Sequence, residues 1–415
     1  MTSSIGRKIL TKLCRNRLNN LSSRIIAAKF SVAAKEDADS TKNIIPAPQP
    51  GKIQAALLKK FSSPLVIENI EPPKIIQANE VLIDVHYCAL NTSDMLLSQN
   101  LYIFEPKLPK ILGYEVVGKL IEVGADAEKN GYKVGDKVAA LNKERYGGLS
   151  EKCLAEVGDI WKVSSEIRSV DAVSILDNYI TALVALERKV NIEEDDMILI
   201  NVGVSGIGLA AVDLATSVFR AQVIGICATE DGADLAREKG AFASLKYKDK
   251  KLLKQIEEIA AERDIRAIFD DASGEYFKKV LNCFTDVYKD TTLKDLLRDD
   301  NFAVVVHHLS REGRVIIAGT AKTMTDVHSE VQKGSFSVTG LNLAEYRKKK
   351  PDVYRQAGDE VLQFFEEGLI KPSCSLLVGL HKINDALEFV SKNKPSGKVV
   401  IDIRNKDADA VKTTG

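Results

Sequence analysis

No stretch of this sequence approaches the 18 or more apolar residues that a membrane helix requires, so nothing in it reads as a bilayer span. Cysteine is scarce. The six, Cys14, Cys88, Cys153, Cys227, Cys283 and Cys374, lie far apart with no CxxC pair, which excludes a disulfide framework and a zinc lobe and fits a reducing compartment. A charge excess is also missing, because 58 Lys and Arg balance 58 Asp and Glu, and this excludes a general polyanion binder. What is present is ordinary for a folded protein. Of 415 residues, 45% are hydrophobic and 28% charged, enough for two or three domains and against a disordered or collagenous chain.

The balanced charge hides an asymmetry. Met1 to Lys35 carries eight basic residues, among them Lys8, Lys12 and Arg15 on one arc of a helical wheel, and no acid. Ile5, Ile9, Leu10 and Leu13 occupy another arc. An amphipathic, Arg-rich, Ser-containing and acid-free leader has the composition of a mitochondrial transit peptide, so a mitochondrial location is expected. Without those eight cations the remaining chain has a net charge of −8, further against a nucleic-acid partner.

Residues 36–51, with Pro46, Pro48 and Pro50, read as a linker. A strand-rich unit follows, with strands expected over Val81 to Tyr87, over Ile111 to Val123 broken at Gly113 and Gly118, and after the Val134-Gly135-Asp136 turn. From about Asp171 apolar strands alternate with helices. The strands are expected at Met197 to Val202, Gln222 to Cys227, Ala243 to Tyr247, Ala267 to Asp270, Arg314 to Gly319 and Phe336 to Leu341. That grammar predicts an α/β Rossmann fold, a doubly wound parallel sheet covered on both faces, beside a small barrel-like β domain. A helix is expected over Tyr354 to Glu367, and Lys398 to Ile401 as a strand returning to the first domain. Ser335 to Leu341 reads as the last strand of the parallel sheet. Its open edge invites pairing with a second copy in a homodimer, the rival being an edge shielded by Arg347 to Lys350.

The chemistry centres on Met197 to Ala215, where an apolar strand enters Gly203-Val204-Ser205-Gly206-Ile207-Gly208 and a small-residue helix follows. A dinucleotide fold needs a tight turn, close backbone approach and close helix packing at the positions filled by Gly203, Ser205 and Gly208. Amides at such a helix start hold a pyrophosphate. Ser205 narrows that approach. The next strand ends at Cys227, where an acid would select the ribose of NAD, so NADPH is the expected cofactor and NADH a possible one. Glu230 and Asp231, just beyond, work against the extra phosphate.

These residues carry a resemblance to the medium-chain dehydrogenase/reductase superfamily, in its zinc-free quinone oxidoreductase (zeta-crystallin-like) branch, over about residues 52–405. Asn91-Thr92-Ser93-Asp94 resembles the family's Asn-x-x-Asp segment, with Tyr102 where a Tyr follows it. Gly113-Tyr114-Glu115 is similar to the Gly-His-Glu region, Val134-Gly135-Asp136-Lys137-Val138 to Val-Gly-Asp-x-Val, and Tyr179-Ile180-Thr181-Ala182 to the segment beside the nicotinamide. Gly240-Ala241 with Tyr247, Arg311 to Val315, and Ser396-Gly397-Lys398-Val399 match later stretches.

The resemblance implies a GroES-like catalytic domain over 52–175 and 344–405, a Rossmann domain over 176–343 and a tail from 406 to 415. It implies Asn91 and Tyr102 as catalytic residues, and Thr181, Gly203, Ser205, Gly206, Ile207, Gly208, Tyr247, Gly319 and Lys398 as cofactor-binding residues. The branch's usual Lys for the NADP phosphate aligns with Gly232. Where zinc-dependent relatives carry Cys and His stand Asn91 and Tyr114, poor zinc ligands, so no metal is expected. The expected reaction is NADPH-dependent hydride transfer to a quinone or an α,β-unsaturated carbonyl. The alternative is a weakly active or inactive nucleotide-binding protein with a structural or regulatory role. Asn91 and Asp94 also have a simpler reading as loop cap and helix N-terminal charge, which is preferred for Asp94. His307-His308 reads as one buried and one solvated ring, and the charged insertion at 282–306 as a surface element.

Overall fold

The computed structural model describes residues 45–102, 105–202, 206–227, 229–246, 249–260, 265–270, 309–318, 331–333, 336–393 and 397–411. The leader, Gly203, Ser205, Tyr247, Gly319, the 282–306 insertion and the His307-His308 pair lie outside the described residues.

The N-terminal unit is built from antiparallel strands. They are β1 (Ile53–Leu58), β2 (Val66–Ile70), β3 (Glu80–Leu90), β4 (Lys110–Ile111), β5 (Glu115–Val123), β6 (Lys137–Leu141), β7 (Lys152–Glu156) and β8 (Ile160–Lys162). Helix α1 (Thr92–Ser98) leaves the end of β3. The strand expected across Ile111 to Val123 is broken once, at Gly113, whose φ of +78° lies in the left-handed region where only glycine is unstrained. Gly118 does not break it. It sits inside β5 because a Cβ there would lie 2.1 Å from the Asp84 carbonyl oxygen, so its bare backbone is what lets β3 and β5 close up.

The second sheet comprises β9 (Met197–Val202), β10 (Gln222–Cys227), β11 (Ala243–Lys246), β12 (Ile265–Asp270), β13 (Leu309–Ala318), β14 (Val331–Lys333) and β15 (Phe336–Leu341). Its order is β11-β10-β9-β12-β13-β15-β14, with every pair parallel except β14 with β15. All six residues of β9 are buried, as expected for a strand covered on both faces. Helices α2 (Leu176–Val184), α3 (Ile207–Ser217), α4 (Glu230–Glu238) and α5 (Leu252–Ala260) belong to this region. The doubly wound sheet expected from the sequence is therefore present.

Two expectations at its edge are corrected. β15 is not the last strand: β14 pairs antiparallel with it, Val331 opposite Val338, and occupies the edge on which strand pairing with a second copy was expected. A run of three residues carries too little pattern to announce a strand. The Arg347 segment does not shield that edge either. It lies in α6 (Leu343–Lys349), and Arg347 reaches the N-terminal unit, donating to Asp159 Oδ2 at 2.6 Å and Glu156 Oε2 at 3.0 Å.

The chain then returns. α7 (Pro351–Glu366) starts three residues before its expected beginning because Pro351 fits the first helical turn. β16 (Cys374–Gly379) and β17 (Lys398–Asp402) join the first unit, with β17 antiparallel to β3 and Val399 opposite Leu90. Among the described residues no helix is long and apolar enough to cross a membrane.

Candidate active site

The strand order reverses at β9, which has β10 on one side and β12 on the other, and ligands of open α/β sheets bind at such a switch point. There Gly206, at φ +86°, turns the chain into α3, and Ile207 and Gly208 open that helix. A cleft at this point is lined by Gly206, Leu209, Asn178, Tyr179, Gly397 and Lys398, so residues of the parallel sheet's crossover and of the returning strand face one space. Helix amides beside a left-handed glycine fit a pyrophosphate. On the adenosine side Cys227 is buried at the end of β10, its Sγ 3.8 Å from Ser244 Oγ. Glu230 opens α4, but its carboxylate is ion-paired with Lys246 and lies 3.8 Å from Arg237. The acid expected to repel an extra phosphate is thus partly neutralised.

Where β3, β5, β17 and α2 meet, a set of polar side chains is sealed from solvent. Glu115 is fully buried; its Oε2 accepts from Lys398 Nζ at 2.7 Å and from Asn91 Nδ2 at 3.0 Å, and its Oε1 accepts from the Asp177 amide at 2.9 Å. Asn91 Oδ1 accepts from Lys398 as well. The side chain of Asn91, implied as catalytic by the resemblance, is therefore engaged at both ends. Tyr114 donates to Asp177 Oδ2 at 2.6 Å and accepts from Ser93 Oγ at 2.6 Å. Thr181, one turn along α2, donates to the Asp177 carbonyl at 2.7 Å. Burial pushes the Asp177 carboxyl up, but Lys143, Lys398 and the Tyr114 hydroxyl together outweigh it and hold it below the usual range. Tyr102, half-buried, hydrogen-bonds Tyr146, and burial raises its hydroxyl so that it stays protonated.

Asp94 behaves as the simpler reading expects. One carboxylate oxygen accepts from the Asn91 amide at 2.9 Å, starting α1, and the other accepts from the Gly113 amide at 2.9 Å. It is completely buried, and desolvation outweighs these bonds and the Lys398 charge to push its pKa up to about 7. Between the unfolded value of about 3.9 and this one, the folded chain holds a proton that the unfolded chain has lost. Stability from Asp94 is present at low pH and is lost as pH rises toward 7. Urea midpoints should fall across that window, by at most roughly 1.4 kcal/mol per pH unit from this group, and Asp94→Asn should flatten the fall. An unchanged profile in the variant would refute the assignment.

A second buried cluster was not legible in the sequence. Asp213 on α3 accepts from Tyr179 Oη at 2.6 Å, Lys239 Nζ at 3.0 Å and the Lys371 amide at 2.8 Å. It ties α2, the end of α4 and the returning chain together beside the cleft. Asp213 reads as one polar residue in an apolar helix, and nothing local announces three partners from 158 residues away and nearer.

Among the described residues no three His, Cys, Asp or Glu side chains converge to hold a metal. Residues 77–166 match the alcohol dehydrogenase GroES-like domain. The chain is 27% identical to quinone oxidoreductase-like protein 2 of Bos taurus over 353 residues, covering 85% of this chain and 93% of that protein. It is 24% identical to human quinone oxidoreductase, covering 84% and 97% respectively. The matched domain and these relatives point to the medium-chain dehydrogenase/reductase superfamily. Within it the matches lie on the quinone oxidoreductase branch. The two-domain superfamily fold is shared with Escherichia coli quinone oxidoreductase complexed with NADPH, at a TM-score of 0.65 and 19% identity over 85% of this chain and 99% of that one. Asn91 and Tyr114, expected from the resemblance at the positions of zinc ligands, are hydrogen-bonded to Glu115 and Asp177.

Proposed function

We propose that the chain is a zinc-independent, NADPH-dependent oxidoreductase that reduces a quinone or an α,β-unsaturated carbonyl. The observation that carries this reading is that Lys398 lines the cleft at Gly206 and also joins the buried polar cluster of Asn91, Glu115 and Tyr114, where the resemblance places zinc ligands. The names of the relatives, quinone oxidoreductases and one NADPH complex, support it. Gly206, Ile207 and Gly208 would hold the pyrophosphate, Thr181 the nicotinamide flank, and Gly203, Ser205, Tyr247 and Gly319 the remaining contacts the family implies. The dinucleotide supplies a hydride when bound. Lys398 and Glu115 fix Asn91 and the end of β3, so the pocket wall is rigid before substrate arrives. Tyr102 keeps its proton and donates a hydrogen bond to the acceptor. A conjugated acceptor suits such a site because its product anion is delocalised and needs no Lewis acid.

Competition titration by fluorescence should show NADPH binding more tightly than NADH, by less than about tenfold, or roughly 1 kcal/mol. The margin is small because Cys227 stands where an acid would select NAD, while Gly232 supplies no cation and Glu230 occupies Lys246. NADPH oxidation should then follow addition of a small quinone or enone, in protein whose measured zinc content is near zero. Equal or tighter NADH binding overturns the preference. Stoichiometric zinc whose removal abolishes turnover overturns the mechanism. Tight NADPH binding without turnover favours the weakly active, regulatory reading.

A further inference from the structure

Reduction of a conjugated carbonyl places a hydrogen with two electrons on carbon, and the displaced π pair moves to the carbonyl oxygen. That oxygen becomes an enolate, which in the quinone case tautomerises to the hydroquinone monoanion, and a proton from water later quenches the anion. Delocalisation removes the need for a metal, but a preorganised positive group facing that oxygen lowers the barrier further. Lys398 does not fit, since its ammonium is bound to both Asn91 and Glu115 inside the wall.

Lys143 does fit. It follows β6 in a turn held by Asn142, whose Nδ2 donates to the carbonyls of Tyr146 at 2.8 Å and Leu154 at 2.7 Å. Tyr146 closes the turn at φ +62°. The turn sends the Lys143 stem back across the Tyr114 ring, with Nζ 5.2 Å from its centroid, to an ion pair with Asp177 Oδ1. Its side chain is 18% exposed, so it is largely desolvated but not sealed off. Among the described residues Asp177 is its one ion-pair partner, with Glu115 a more distant charge, and three N–H donors exceed what a single oxygen can accept. It also feels the Tyr102 hydroxyl. Burial favours neutral lysine, but the Asp177 carboxylate outweighs it and keeps the ammonium charged.

We propose that Lys143 binds the substrate's carbonyl oxygen and stabilises the anion that forms there, taking the place a metal ion fills in zinc-dependent relatives. The inference rests on the hydride-transfer reading for its substrate, but its test does not. The probe is 4-nitrophenol, whose phenolate mimics the product anion and absorbs visibly. Added to the protein without dinucleotide, it should bind and ionise at a midpoint lowered by about one pH unit, the phenolate binding about tenfold more tightly than the phenol.

Lys143→Met should abolish the lowered midpoint, and Lys143→Arg should keep it. Because Lys143→Met strands the Asp177 charge, the double variant Lys143→Met/Asp177→Asn provides a neutral, foldable control that must also lose the shift. No binding or no shift in the wild type, or a full shift in either Met variant, overturns the proposal. A normal phenolate shift in protein that never oxidises NADPH would leave the Lys143 site standing and remove the reductase reading instead.

Discussion

Lys398→Met should cost the fold about 3–5 kcal/mol, measured as a lowered midpoint in urea denaturation. Lys398 begins β17, and its ammonium crosses to β3 and β5, where Glu115 is fully buried. Removing the cation leaves a carboxylate with only the Asn91 amide and the Asp177 backbone to satisfy it. A buried ion pair adds little over an apolar pair of the same shape, but half of one is very costly. The companion Glu115→Gln in the Lys398→Met background should therefore recover most of the loss, since a neutral amide keeps an acceptor for Asp177. A Lys398→Met loss below about 1 kcal/mol, or no recovery in the double variant, would show that the pair is solvated and the wall is not rigid.

Gly358→Ala should destabilise the protein by about 2 kcal/mol, even though alanine is the better helix former by about 1 kcal/mol. In α7, a Cβ at this position would lie 2.2 Å from both Cε2 and Nε1 of Trp161. The ring cannot retreat. It is wholly buried, its Nε1 donates to the Arg355 carbonyl at 3.1 Å, Tyr354 packs edge-on at 5.3 Å, and the Arg355 guanidinium lies 4.5 Å from its centroid. Because Trp161 is the single tryptophan, its emission reports the displacement directly, and a red shift should accompany the lower midpoint. An unshifted spectrum with full stability would mean that α7 can slide on the N-terminal unit without cost.

The parallel sheet was readable because its inner strands are apolar on both faces and helical periods separate most of them. β9 and β10 fall on the expected bounds for that reason, β15 does so through its alternation, and β12 and β13 begin two and five residues before their expected starts. Gly206 was equally plain, since a left-handed turn into a helix is a backbone requirement that glycine meets. Lys143, by contrast, looks like a surface lysine after a strand, and Asp177 like an ordinary helix N-terminal acid.

What the amino-acid order determined by itself is therefore what short-range geometry demands: alternation and apolar runs for the strands, glycines where φ turns positive, and residue types unsuited to zinc at positions 91 and 114. What only the tertiary structure decided is which charges meet. Lys398 pairs with Glu115 from 283 residues away, Asp213 gathers Tyr179, Lys239 and Lys371, and the three residues of β14 take the sheet edge. The physical reason is that a long charged side chain stays solvated at little cost and is buried only at a large one, and only the packing of distant elements brings the partner that offsets it.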